Sequence, residues 1–125
     1  MNKENTVKLA SDFPELYRDV GKHPRETAMC WGFECADGWF DLIYKLSSDI
    51  TTYCKENNIP VPVVLQVKEK FAGLRYYVGA ADEHIYQLIE DACGLSYKTC
   101  EICGLPGKVV GQRWVSTRCE QHAEK

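Results

Sequence analysis

The sequence lacks most of the features that would advertise a location or a reaction. No apolar run in its 125 residues approaches the roughly 18 residues needed to cross a bilayer. The opening Met1-Asn2-Lys3-Glu4-Asn5 has none of the apolar core of an export signal, so a soluble, cytoplasmic protein without a membrane partner is expected. The formal net charge is −3, and the lysines and arginines are not gathered into runs, so nothing electrostatic points to nucleic acid. There is no phosphate-binding loop, no G-x-S-x-G elbow and no G-x-G-x-x-G fingerprint. Histidine is scarce, at three residues. A nucleophilic cysteine needs a histidine within reach, and His84 and Cys93 stand nine apart on one expected helix, too far to touch. Repeats and low-complexity segments are also missing. No catalytic residue is expected.

Cysteine, by contrast, is plentiful, and its placement is the most informative feature of the chain. Cys100-Glu101-Ile102-Cys103 places two cysteines three apart and Cys119-Glu120-Gln121-His122 a cysteine and a histidine three apart, with fifteen residues between the pairs. Zinc favours four thiolate or imidazole ligands in a tetrahedron, and a C-x2-C pair supplies two from one tight turn. Gly104 stands where such a knuckle needs a residue without Cβ. Lys108-Val109-Val110 and Arg113 to Thr117 flank Gly111-Gln112, a hairpin signal, and a short C-terminal helix would carry the second pair. Knuckle, hairpin and helix in that order predict a treble-clef-like zinc finger over 99–125, with Zn2+ held by Cys100, Cys103, Cys119 and His122. The total of seven cysteines is odd and three serve zinc, so Cys30, Cys35, Cys54 and Cys93 read as reduced thiols.

Ahead of the finger, residues 1–98 read as one α+β domain: a small antiparallel sheet packed with helices, residues 1–10 disordered, and the finger packed against it. Ser11 to Val20 suggests a short helix, capped by Ser11 or Asp12, with Phe13, Leu16, Tyr17 and Val20 on its core stripe. His23-Pro24 to Met29 is a connection, and the alternation around Trp31, Phe33 and Cys35 predicts a short strand. Asp37 would cap a long helix that Asn57-Asn58 and Pro60 stop. Val61 to Gly79 reads as a hairpin with Val63, Leu65, Val67, Leu74, Tyr76 and Val78 facing the core. Gln66, Lys68, Arg75 and Tyr77 would form its outer face. Asp82 caps a final helix reaching about Ser96, with Ile85, Leu88, Ile89 and Ala92 inward.

Three further constellations carry possible chemistry. Glu34, Asp37 and Asp41 gather carboxylates that suit a divalent cation, although capping and the helix dipole explain them more simply. Cys30 and Cys35 with His23, Cys54, His84 or Cys93 would make a second metal site, against which their apolar settings favour small buried hydrophobes. Lys68-Glu69-Lys70-Phe71 with Arg75, Tyr76 and Tyr77 suits either nucleic acid or a protein contact. A His-metal nuclease needs a histidine base on the finger's hairpin, and Lys108 to Thr117 holds no His, Asp or Glu.

Three blocks together carry a resemblance: Trp31-Gly32-Phe33-Glu34-Cys35 with Asp37-Gly38-Trp39; Gln66 to Val78; and Cys100-Glu101-Ile102-Cys103-Gly104 with Pro106-Gly107, Trp114 and Cys119 to His122. Over roughly residues 23 to 122 the chain resembles a family of small zinc-finger proteins of bacteriophages and prophages, whose members often have Gly where Ala72 stands. The resemblance implies a phage accessory protein in a bacterial host cell, and no activity. The function expected is non-catalytic binding of a host or phage protein, in its most concrete form inhibition of a bacterial defence system. Lys68, Arg75 and Tyr77, with Trp31 and Trp39 beside them, are the expected contact residues. Two alternatives are a nucleic-acid-binding regulator using Lys108, Arg113 and Arg118, and a binder of a small nucleotide signal stacked on Trp and Tyr rings.

Overall fold

A computed structural model describes residues 1–22, 25 and 27–123, the side chain of Trp31 excepted. His23 and Pro24, part of the expected connection, lie outside the described residues. The chain is α+β. Its order is α1 (Lys3–Asp12), β1 (Phe33–Glu34), α2 (Phe40–Glu56), β2 (Val64–Lys70), β3 (Gly73–Val78), α3 (Glu83–Ser96), β4 (Lys108–Val110) and β5 (Ser116–Arg118). Short 3-10 turns cover Ala28–Trp31 and Asp37–Trp39.

The N-terminus departs from expectation. Residues 1–10 are not frayed, because α1 is capped and docked. Asn2 accepts from the Asn5 amide at 2.8 Å, Leu9 is fully buried, and the Met1 ammonium donates to the Phe33 and Cys35 carbonyls. The helix expected over 11–20 is absent. Ser11 and Asp12 finish α1, and Pro14 disfavours a helical Phe13, which sits at φ −129° and ψ 62°. The apolar stripe survives as turns: Phe13, Leu16 and Tyr17 are all buried. Apolar spacing located the core correctly, then, even though the backbone there is not helical.

The larger sheet has the order β1-β2-β3 and is mixed, where an antiparallel sheet was expected. β1 runs parallel to β2 through Phe33↔Val67, and β2 runs antiparallel to β3. A two-residue strand is too short to leave a periodic signal of its direction. On β2 the inward face is also shifted. The register is irregular between Val64 and Gln66, so Val64 and Val67 are buried while Leu65 points into solvent. On β3, Leu74 and Tyr76 are buried as expected. Asp82 caps α3 by accepting from the Ile85 amide at 3.0 Å. α2 begins after a 3-10 turn, and Asp37 does not cap it. Its carboxylate instead receives the Asn2 amide at 2.8 Å and the Asn5 amide side chain at 3.0 Å, which ties α1 to the α2 entrance.

The core contains one buried polar chain. Tyr76 donates to the Tyr17 hydroxyl (2.8 Å), Tyr17 to the Ser47 hydroxyl (2.5 Å), and Ser47 to the Ile43 carbonyl (2.7 Å). It joins β3, the 13–20 turns and α2, and every hydroxyl in it is satisfied. Burial pushes both tyrosines well above their ordinary range.

Between β2 and β3 the chain turns through Phe71 (φ 52°) and Ala72 (φ 75°). Both residues lie in the left-handed region, the geometry of a two-residue hairpin that ordinarily calls for Asn-Gly. Ala72 is fully buried, while Phe71 is 70 % exposed. The hairpin tip is therefore strained, with one side chain driven inward and a ring left outside.

Candidate metal centre

The finger begins where α3 ends. Gly104 turns at φ 83°, its N–H reaching the Cys100 carbonyl at 2.9 Å, and the Cys100 N–H reaches the Leu105 carbonyl at 2.8 Å. This knuckle brings the Cys100 and Cys103 sulfurs to one side. β4 and β5 then pair antiparallel through Val109↔Thr117 and carry the chain back to Cys119. The expected C-terminal helix is only a single turn among the described residues, with the Ala123 N–H on the Cys119 carbonyl at 2.9 Å. One turn is enough to bring His122 over Cys119.

Cys100, Cys103, Cys119 and His122 converge, with their ligand atoms all within 4.8 Å of one another. Cys119 Sγ lies 3.2 Å from His122 Nδ1, Cys100 Sγ lies 3.7 Å from the same nitrogen, and Cys103 Sγ lies 3.6 Å from Cys119 Sγ. A tetrahedral ion with metal–sulfur bonds near 2.3 Å has ligand edges of about 3.5 to 3.8 Å. The four groups fit a metal ion. Burial opposes charge on Cys100, but N–H groups of Cys119, Cys103 and Ile102 hydrogen-bond its sulfur and bring the thiol down to about 6. On Cys103 the Leu105 N–H favours the thiolate, yet burial and the neighbouring Cys119 and Cys100 thiols outweigh it and push that thiol up.

Two carbonyls and a carboxylate fasten this centre to the body. Gly38 donates to the Glu101 carbonyl at 2.7 Å, Trp39 Nε1 donates to the Thr99 carbonyl at 2.9 Å, and Ala36 donates to Glu101 Oε2 at 2.9 Å. A Cβ on Gly38 would lie 2.3 Å from the Cys100 carbonyl oxygen, so only glycine allows this approach. Glu101 is buried, and its other oxygen accepts from Arg118 at 3.2 Å, next to the ligand Cys119. On the far side, Thr117 donates to the Ala72 carbonyl at 2.8 Å.

The remaining sequence candidates divide. Among the described residues, no other three His, Cys, Asp or Glu groups converge as metal ligands. Glu34, Asp37 and Asp41 are apart: Asp37 serves α1, and Glu34 faces Gln66 Nε2 at 3.5 Å. Cys35 and Cys54 are buried and His84 stacks on Tyr53 at 4.1 Å; burial pushes Cys35 up to about 12. Of the expected contact residues, Trp39 is corrected. It is fully buried as a strut under the finger, because its indole N–H is needed by the Thr99 carbonyl. Arg75 is half-buried and donates to the Tyr97 hydroxyl at 3.1 Å and its neighbour's carbonyl at 3.2 Å. Lys68 is half-buried, Tyr77 is exposed, and the Trp31 side chain lies outside the described residues.

Among the described residues the two most exposed rings are Trp114, which is not among the expected contact residues, and Phe71, which belongs to the expected Lys68–Tyr77 patch. Trp114 is 90 % exposed at the β4–β5 turn, matching Phe71 at the β2–β3 turn. Phe71 stands at a left-handed position that favours Gly or Asn, whereas in the β4–β5 turn Gly111 takes that position and Trp114 does not.

Compared with protein-family models, curated proteins and solved structures, the chain matches none.

Proposed function

We propose that this chain is a non-catalytic binding protein, folded around one zinc ion, that works by covering the surface of a protein partner. The observation that carries the reading is Trp114, a ring 90 % exposed at the tip of a finger whose base is pinned on both sides. An indole left in water contributes nothing to folding, and on a pinned hairpin it suits an interface anchor. Three thiolates and one imidazole are the donor set that zinc prefers. Cys100, Cys103, Cys119 and His122 would hold the ion, which supplies structural cross-linking and no reaction. Leu65 and Tyr77, exposed on the β2–β3 ladder, extend the contact surface and keep Tyr77 and Lys68 of the expected outer face within it. Given the resemblance to phage accessory proteins, the partner is a host or phage protein, and inhibition of a bacterial defence system is the concrete form of the activity.

The test is retrieval of partners from bacterial lysate with the tagged full chain, with and without nuclease. A stoichiometric protein retained despite nuclease supports the reading. Material lost on nuclease treatment contradicts it.

A further inference from the structure

Charge is distributed unevenly along the chain. Residues 98–125 carry five Lys and Arg against three Asp and Glu, whereas residues 1–97 carry ten against fifteen. Three cations of the body are neutralised locally: Lys8 pairs with Asp12, Lys22 with Asp19 and Lys45 with Asp49. The exposed cations at the two hairpin tips, Lys70 and Arg113, form no such ion pair among the described residues. Each tip has a cation next to its protruding ring in sequence. Lys70 Nζ sits 5.5 Å from the Phe71 ring centre, and Arg113 directly precedes Trp114.

The two tips belong to one surface. Thr117 of β5 bonds the Ala72 carbonyl, so the β2–β3 turn is seated on the β4–β5 hairpin. A cleft of roughly 380 Å3 lies between them, with Glu69 on one side, Trp114, Val110 and Ser116 on the other, and Glu101 with Arg118 at its floor. Folding does not explain the rings. Phe71 occupies a left-handed position that asparagine or glycine would take with less strain, and neither ring contributes to the core.

We infer that Phe71 and Trp114, with Lys70 and Arg113 next to them in the chain, form a two-pronged docking surface for an acidic protein segment that offers apolar residues between carboxylates. This rests on the protein-binding reading above and specifies the chemistry of the partner. The cleft decides between an acidic protein and a nucleic acid. A phosphate backbone spanning the tips would set continuous negative charge against Glu69, whereas Glu101 is already paired with Arg118. A protein segment places its carboxylates singly, over the cations at the rim, and turns apolar side chains to the rings.

The probe is a displayed library of random peptides, selected on the metal-loaded full chain. The expected result is enrichment of peptides combining Asp or Glu with large apolar residues. Trp114→Ala and Phe71→Asn should each weaken their binding about tenfold or more. Lys70→Glu with Arg113→Glu should abolish it. Unchanged metal content and a melting temperature that does not fall in any variant separate lost contact from lost fold. Enriched peptides that lack acidic residues, or that bind all variants equally, overturn the docking surface while leaving protein binding intact. No enrichment, or tighter binding of a single-stranded oligonucleotide at the same tips, overturns it as well.

Discussion

The Thr117 hydroxyl donates to the Ala72 carbonyl over 2.8 Å in a fully buried position. This single bond joins the metal finger to the strained turn of the central hairpin. It aligns the two exposed rings, because Phe71 immediately precedes Ala72 and Trp114 closes the hairpin to which Thr117 belongs. Thr117→Val keeps the shape and removes the donor, leaving a buried carbonyl without a partner. A loss of about 1 to 3 kcal/mol is expected in chemical denaturation. Thr117→Ser should recover most of it.

Phe71 is expected to trade stability for contact. Asparagine tolerates the left-handed backbone at φ 52° without the strain of a bulky residue, and little burial is lost from a ring 70 % exposed. Phe71→Asn should raise stability by about 0.5 kcal/mol, after allowance for the exposed Lys70 contact. A drop of more than that amount in a thermal melt would show that the ring serves the fold.

How much of this was readable in the sequence depends on whether the signal is local. The metal centre was, because C-x2-C and C-x2-H spacings act within single turns, and so was α3, whose cap is Asp82 itself. The core stripe of Phe13, Leu16 and Tyr17 was visible, although the helix expected to carry it was not formed. Missed features depend on partners distant in sequence. Asp37 looks like a cap until Asn2 and Asn5 arrive from α1. Trp39 looks like a contact residue until the Thr99 carbonyl claims it. Glu101, between two ligands, gave no sign that it would bind Ala36 and Arg118 at once. The register irregularity between Val64 and Gln66 turns Val64 inward and Leu65 outward while Val67 keeps its expected side, and no pattern within the strand announces it.

The buried tyrosine chain makes an alkaline prediction. Tyr17 and Tyr76 are raised in the folded protein, so the unfolded chain loses these protons first, near pH 10. Their contribution is complete below that pH and declines as pH rises towards the folded-state values, by about 1.4 kcal/mol per pH unit for each tyrosine. Denaturant midpoints should hold to about pH 10 and then fall steeply. Tyr76→Phe should flatten the fall, at the cost of one hydrogen bond at neutral pH.

The most direct measurement of the central claim is native mass spectrometry of the full chain, paired with thermal melting before and after a strong chelator. The account predicts one zinc per chain, bound through Cys100, Cys103, Cys119 and His122. It further predicts a large fall in melting temperature on removal, with the same fall in Cys100→Ser. A metal-free chain whose melting temperature is unmoved by chelator or by Cys100→Ser would contradict it.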